Sequence, residues 1–379
     1  MPHRPTPPSL DLVRGATDQL VVDALLEAES LTRPQLSQLT GVSKPTISES
    51  VRRLARAGLV EEAGKATGSP GRAGAVYRLA ARTGWGIALH VAPGEAAVAE
   101  VDPAGSVLWS ARQPLPMTVT PAELERGVRL LGRLARRRRP EAPSVVVASV
   151  ADPVDATGRT VDLAGTPFVR GSADLREALT GAAERVVVGN DVNWAALAER
   201  HDGAATDLST FVYCYLGAGL GAAVVEDGQV RVGANGLAGE LAFLPTVGPE
   251  GRAMRLLDVF VSLGLVLEGT TVIDGEAVRR YFATQLPPAP LVTAIGAALG
   301  GVAALLGTTT FLVGGPWAQA PGLADRLAAV AGRHAPAPVT LRPAAHQADA
   351  PLRGAQVEAA RQLRAALHRT LAGPLPETP

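Results

Sequence analysis

The chain has 379 residues, 47% of them hydrophobic and 19% charged, with a formal net charge of zero at pH 7. That length suits two or three domains with ample core, and the neutral balance argues neither for nor against nucleic acid, though it leaves room for a local basic patch. The single cysteine, Cys214 in FVYCYLG, excludes an internal disulfide and a multi-cysteine metal site. It reads as a small core residue of a strand. The N-terminus MPHRPTPPSLDL lacks the charged-then-apolar pattern of a signal peptide. The longest apolar run, TAIGAALGGVAALLG at 293–307, is shorter than the ~20 residues of a membrane span and reads as a buried helix. A cytoplasmic protein with no membrane partner is expected.

Residues 1–10 hold four prolines and are expected to be disordered. A small domain follows over 18–80. Leu20, Val21, Ala24 and Leu25 have helical spacing, and Thr32 can cap a second short helix carrying Leu36 and Leu39. Gly41 permits a tight turn. Ser43 is a good N-cap and Pro45 suits the first turn of a third helix. That helix turns Ile47, Val51 and Leu54 inward and presents Lys44, Thr46, Ser48, Glu49, Arg52 and Arg53 on its other face. Gly58 ends it, and LVEEAG and AVYRLA form two strands around a glycine-rich tip, GSPGRAG at 68–74, with Lys65 and Arg72 nearby. The pattern predicts a winged helix-turn-helix. Residues 1–82 carry eleven basic and eight acidic side chains, a net +3 of the right sign for phosphate contact. Lys44, Thr46, Ser48 and Glu49 are placed for bases, and Ser43, Arg52, Arg53 and Arg72 complete the DNA-binding set, with Arg52 and Arg53 toward phosphates.

From Thr83 the pattern becomes that of an α/β fold. VVVASV (145–150), RVVVGN (185–190), TFVYCYLG (210–217) and TTFLVGG (309–315) read as buried strands. Helices are expected at 122–138, 172–182, 192–200, 291–306, 322–333 and 354–371. The arginine run 136–139 closes the first of these as a solvated helix end. Asn190 and Asp191 in GNDVNWAALAE stand at a strand end, where α/β sheets present ligand-binding groups. An Asx turn with a helix cap is the structural alternative there. Glu240 in NGLAGELAF is a lone acid in an apolar, glycine-rich segment.

GNDVNWAALAE (189–199), YLGAGLGAAVVEDGQVRVGANGLAGELAFLPT (215–246), FLVGGPW (311–317) and PLRGAQVEAARQL (351–363) occur in an order that resembles the ROK family of repressors, open reading frames and kinases. The resemblance covers the chain from about residue 14. It implies an actin-like, ribonuclease H-like α/β domain of two lobes behind the winged helix. The domains would then be 1–82 and 83–379, with lobe one at about 83–190 plus a helix at 354–372, and lobe two at about 191–350. It implies a sugar or sugar-phosphate effector held between the lobes by Asn190, Asp191, Glu240 and Asp258, with LAGTPF at 163–168 as a further loop. In family kinases the residue matching Asp191 takes the proton from the phosphorylated hydroxyl.

The pattern also departs from that family. Where its kinases have a glycine-threonine phosphate turn preceded by an acid, this chain has HVAPGE at 90–95. Pro93 has no N–H to offer, Gly94 has no hydroxyl and Glu95 would repel an anion, so ATP binding and catalysis are not expected. The family zinc site needs a histidine where Phe243 stands and cysteines within VGPEGRAMRLL at 247–257, which has none, so no metal is expected. The expected protein is a non-enzymatic regulator, a repressor of carbohydrate-related genes. It would bind double-stranded operator DNA as a homodimer or dimer of dimers, without cofactors. Two readings compete: a regulator whose cleft serves only dimerisation, and a sugar kinase with a DNA-binding arm.

Overall fold

The computed structural model describes residues 10–65, 74–163, 168–284, 290–373 and 375. The expectations for residues 1–9, for Arg72 and most of the wing tip, and for most of the loop 163–168 therefore lie outside the described residues. The chain divides into two compact units. One comprises Met1–Gly86, Val101–Leu108 and Ala359–Pro379, and the other Ile87–Glu100 and Trp109–Glu358.

In the first unit the elements run α1 (Leu10–Glu27), β1 (Leu31–Thr32), α2 (Arg33–Thr40), α3 (Lys44–Arg56), β2 (Val60–Lys65) and β3 (Ala75–Leu79). Thr32 and Gln35 form a capping box on α2, and Gly41 ends that helix at φ 70°, a left-handed backbone that a side chain would strain. Ser43 caps α3 through the Thr46 N–H. Val21, Leu25, Leu36, Ile47, Val51 and Leu54 meet in one core with Tyr77. Leu367 and Leu371 from the C-terminal end of the chain complete this core. The sheet has three strands in the order β1-β3-β2. The two-residue strand β1, which pairs Leu31 with Tyr77, was not foreseen. Two residues are too few to show an alternating pattern.

The second unit holds most of the remaining elements. They are β4 (Gly86–Ala92), β5 (Glu95–Val101), β6 (Val107–Pro114), α4 (Pro121–Arg136), β7 (Val145–Val150), α5 (Leu175–Ala178), β8 (Arg185–Asn190) and α6 (Asp191–Asp202). After them come β9 (Phe211–Leu216), β10 (Leu220–Glu226), β11 (Gln229–Arg231), β12 (Pro245–Val247), β13 (Ala253–Arg255), α7 (Leu256–Ser262), α8 (Gly275–Thr284), α9 (Pro290–Leu306), β14 (Thr310–Gly314), α10 (Leu323–His334), β15 (Thr340–Pro343) and α11 (Ala350–Leu371). Two five-stranded sheets result, of order β6-β5-β4-β7-β8 and β11-β10-β9-β14-β15. Strand β7 is parallel to β8, and β14 is parallel to both β9 and β15. All six residues of β7 are buried, as expected of a parallel strand covered on both faces.

The expected helix at 172–182 is one short turn, α5. Asp174 caps it, and Gly181 at φ 76° turns the chain into i to i+3 bonds such as Ala182 N–H to the Leu179 carbonyl. A left-handed residue cannot continue a helix. The arginine run closes α4 with Arg136, Arg137 and Arg138 exposed, as expected of a solvated helix end, but its last two residues have a further role. Arg138 and Arg139 lie 3.3 and 3.0 Å from the carboxylate of Glu100, a residue only 2% exposed. Arg138 also stacks over Trp109 at 4.6 Å. Arg138 and Arg139 thus neutralise a buried acid, and burying that acid alone would be expensive.

Candidate functional site

Two places carry the predicted site residues. The first is the outer face of α3. Ser43, Lys44, Thr46, Glu49 and Arg52 are exposed and Ser48 is half-buried. The Ser43 hydroxyl meets the Thr46 hydroxyl at 2.8 Å as part of the cap, so its first role is local. Arg52 forms an ion pair with Glu49 on the surface, an arrangement worth little in water and easily opened. Arg53 differs from the expectation that sets it on phosphate. Its guanidinium donates to Asp18 at 2.7 and 3.3 Å, and Asp18, 5% exposed at the side chain, also accepts from the Ser50 hydroxyl at 2.5 Å. Arg53 lies on the flank between the solvent-facing and core-facing stripes of α3, where Asp18 of α1 holds it.

The second place is a cleft of about 110 Å³ in the other unit. Strand β8 ends at Asn190 and α6 starts at once. Gly189 allows this because a side chain there would lie 2.9 Å from the Trp194 ring. Asn190 accepts from the Val192 and Asn193 N–H groups at 2.9 and 3.3 Å and donates to the Asp152 carbonyl at 3.1 Å. It is the helix cap that the sequence left open as an alternative. Asp191 is 6% exposed and also accepts from the Val192 N–H at 2.8 Å. Glu240 faces the same cleft. The glycines before it explain its placement. Gly239, at φ 94°, lies against β10 so closely that a Cβ would come within 1.9 Å of the Ala222 carbonyl oxygen, and its own carbonyl accepts the Ala222 N–H at 2.7 Å.

Burial pushes both acids up to about 7, and Glu240 adds its charge to the shift at Asp191. The sequence reading missed two lining residues, Asp152 and Tyr215. Asp152 follows the buried strand β7 as Asn190 ends β8, so the same strand-end rule finds it. Tyr215 is found by strand alternation: Cys214 faces one core and Tyr215 packs against another.

Asp258 is not among the cleft residues. It sits in the first turn of α7, held by Arg255 through paired bonds of 2.9 and 2.8 Å, and that partner keeps its carboxyl below the ordinary range. The Arg255 guanidinium also lies over the Phe243 ring at 5.6 Å. Phe243 therefore has a cation–π partner. The segment after it forms the hairpin of β12 and β13, closed by Gly248 N–H to the Arg252 carbonyl at 2.8 Å. These residues offer no thiolate or imidazole and do not fit a four-coordinate zinc. Among the described residues, no group of three or more His, Cys, Asp or Glu could hold a metal ion.

Pro93 and Gly94 form the tight turn between β4 and β5, with Gly94 at φ 84°, as in a type II Pro-Gly turn. The Gly94 N–H donates to the Pro116 carbonyl at 3.3 Å, and Glu95 accepts from Arg112 at 2.7 Å. Arg112 also bonds Asp349 at 2.5 Å. His90 is buried against Ser149, Nδ1 to Oγ 3.0 Å, and burial followed by the charge of Arg112 lowers it to about 4. The imidazole is neutral at pH 7 and is no substitute for an acid. The second glycine turn, 216–222, joins β9 to β10 as a hairpin, and its Gly217 carbonyl accepts from Trp317 Nε1 at 3.0 Å.

Comparison with known proteins gives two family matches. Residues 87–252 match the ROK family and residues 20–72 match the MarR family. The chain is 24% identical over 251 residues to the DNA-binding transcriptional dual regulator NagC of Escherichia coli K12, covering 64% of this chain and 60% of that one. A glucokinase of Halalkalibacterium halodurans is 43% identical over 68 residues, which is 18% of this chain and 20% of the kinase. The chain thus spans about three-fifths of that regulator and a fifth of that kinase. The fold matches the crystal structure of a ROK family transcriptional regulator described as a homolog of the E. coli MLC protein. That match has a TM-score of 0.65 at 19% identity and covers 95% of this chain and all of the other.

Proposed function

From a chain that carries a ROK-family domain behind a MarR-type winged helix-turn-helix, we propose a DNA-binding transcriptional regulator, a repressor controlled by a sugar-like effector in the cleft of Asp191 and Glu240. The observation that carries the DNA-binding half is the split of α3. Ile47, Val51 and Leu54 are buried while Lys44, Thr46, Glu49 and Arg52 stand in solvent, the face that such a helix lays in a major groove. The regulator works in the cytoplasm as a homodimer, and no described helix is long and apolar enough to cross a membrane. It uses neither zinc nor nucleotide, and it is no kinase. The Gly94 N–H is spent on Pro116 and Pro93 has none, so the turn has little to offer a phosphate.

Selection of sites from a random DNA pool with the full chain tests the first half. A recovered consensus is expected, and failure to enrich any sequence would sink it. The kinase alternative is tested by ATP-dependent phosphorylation of a sugar panel. Turnover that Asp191→Asn abolishes would replace the present reading.

The two arginines of α3 are expected to separate. Arg52→Ala should weaken binding of the selected site by about ten-fold and reduce the slope of log affinity against log salt by about one, with unchanged thermal stability. Arg53→Ala should instead destabilise the fold by about 2–4 kcal/mol, because it strips Asp18 of its cation. Equal stability of the two variants would show that Asp18 does not hold Arg53.

A further inference from the structure

Helix α2 contributes nothing to the DNA-binding set expected from the sequence, yet it carries one cation in an unusual setting. The helix reads RPQLSQLT over Arg33–Thr40, so Arg33 is its only charged residue and opens its first turn. The Arg33 guanidinium lies over the ring of Tyr77, with Cζ 5.0 Å from the ring centroid. Tyr77 is 7% exposed and anchored in the core from β3, which makes the ring a fixed platform. Arg33 itself is half-buried. Its Nε is buried without a hydrogen-bond partner, and among the described residues no carboxylate pairs with it.

The other arginines of α1, α3 and β3 differ. Arg52, Arg53 and Arg78 pair with Glu49, Asp18 and Glu61, and Arg14 and Arg56 also have partners. A guanidinium drawn partly out of water with no acceptor is unfavourable. Stacking on an aromatic ring uses only its face. Its N–H donors lie in the plane and point outward from the edge, the fork that fits a phosphate. Tyr77 thus fixes the plane of a cation whose in-plane donors hold nothing among the described residues. No acid stands in the first turn of α2. The cap is built from the neutral side chains of Thr32 and Gln35, each accepting the other's N–H, so no charge within α2 competes for Arg33. In a helix-turn-helix complex the recognition helix lies in the major groove while the helix before it crosses the DNA backbone. That is the place of α2 before α3, which follows it through the left-handed turn at Gly41.

We propose that Arg33 is a phosphate contact of the DNA complex, oriented in advance by Tyr77, on the backbone beside the groove that α3 enters. This rests on the DNA-binding reading of α3 and extends it to α2. A phosphate contact fixes register and carries no base information, so Arg33 sets affinity and leaves sequence preference to α3.

Arg33→Met in the full chain tests this, because methionine keeps an unbranched stem over Tyr77 and removes the charge. On the DNA site selected by the wild-type chain, affinity is expected to fall about ten-fold, and the slope of log affinity against log salt by about 0.9 per bound chain. The ranking of base-substituted sites and the thermal midpoint should not change. Arg33→Lys keeps the charge without the planar fork. It should retain most of the slope and lose about three-fold in affinity. Neutral methylphosphonates placed at one phosphate at a time then locate the contact. One position in each half-site should weaken the wild type and leave Arg33→Met unaffected. An unchanged slope for Arg33→Met would mean that Arg33 only covers Tyr77, with the DNA-binding reading intact. The same set of sensitive phosphates in both proteins would overturn the contact even if the slope fell, and a lower thermal midpoint alongside it would assign Arg33 to the fold. An altered ranking of base-substituted sites would make Arg33 a base contact and overturn the phosphate assignment. Failure of the wild-type chain to select any DNA sequence would overturn the DNA-binding reading and this inference together.

Discussion

Replacing Glu199 with alanine is expected to lower stability by about 3–5 kcal/mol, read as a fall in the urea midpoint. Glu199 is fully buried on α6. Its carboxylate accepts three backbone N–H groups: Ala204 at 2.8 Å, Ala345 at 3.0 Å and His346 at 2.7 Å. Each buried donor left without an acceptor costs about 1–3 kcal/mol. A glutamine side chain at this position would keep the shape but could not accept on both sides of its amide. The His346 N–H, or the Ala204 and Ala345 pair, would then face an N–H₂. Glu199→Gln should therefore lose about half as much as the alanine variant. A loss below about 1 kcal/mol for Glu199→Ala would mean that the chain leaving β15 is anchored by other groups. The neighbouring pairs of Asp202 with His346 and Arg353 are the alternative anchors.

The second large effect is expected from one methyl group. A Cβ on Gly354 would lie 1.8 Å from the Trp194 carbonyl oxygen and 2.3 Å from its carbon. Both are backbone atoms of α6 and cannot swing aside, so Gly354→Ala must push α11 off α6. Overpacking of this kind costs about 1–3 kcal/mol and more where backbone must move. A loss of about 3 kcal/mol is expected, together with weaker ligand binding, because α6 begins at Asp191. Gly301→Ala is the matched control. That glycine is also helical, is exposed, and has nothing within 4 Å of the added atom. It should be neutral or stabilise by up to about 1 kcal/mol through helix propensity. If Gly354→Ala behaved like the control, the close approach of the two helices would be wrong.

Both residues mark where reading the chain in one dimension stops. In the linear sequence Glu199 is one more polar residue late in a helix. Its meaning depends on Ala345 and His346, nearly 150 residues away. Local chemistry did carry the winged helix. Thr32, Gly41, Ser43 and Pro45 act within a few residues of themselves, so caps and turns could be read directly. The strands β7, β8, β9 and β14 were equally plain, because each is a short run of β-branched or aromatic residues closed by a turn residue. Strand β8, expected to be buried, lies at the sheet edge and is only half-buried.

The candidate sites divide in the same way. Spacing alone identified Asp191 at a strand end and put Lys44, Thr46 and Arg52 on one helix face. Spacing could not tell Arg53 from Arg52, because what separates them is Asp18 on another helix. Nor could it show that Asp258 serves Arg255 and Phe243, that Asp152 joins Asp191 and Glu240, or that Arg138 and Arg139 answer a buried Glu100. Most element types, the caps, and the missing N–H of Pro93 and hydroxyl of Gly94 were legible in the linear chain, since these follow from backbone preferences and the atoms a residue carries. Which charges are paired and which acids converge emerged only on folding, because the energy of a charge depends on burial and on partners brought from distant parts of the chain.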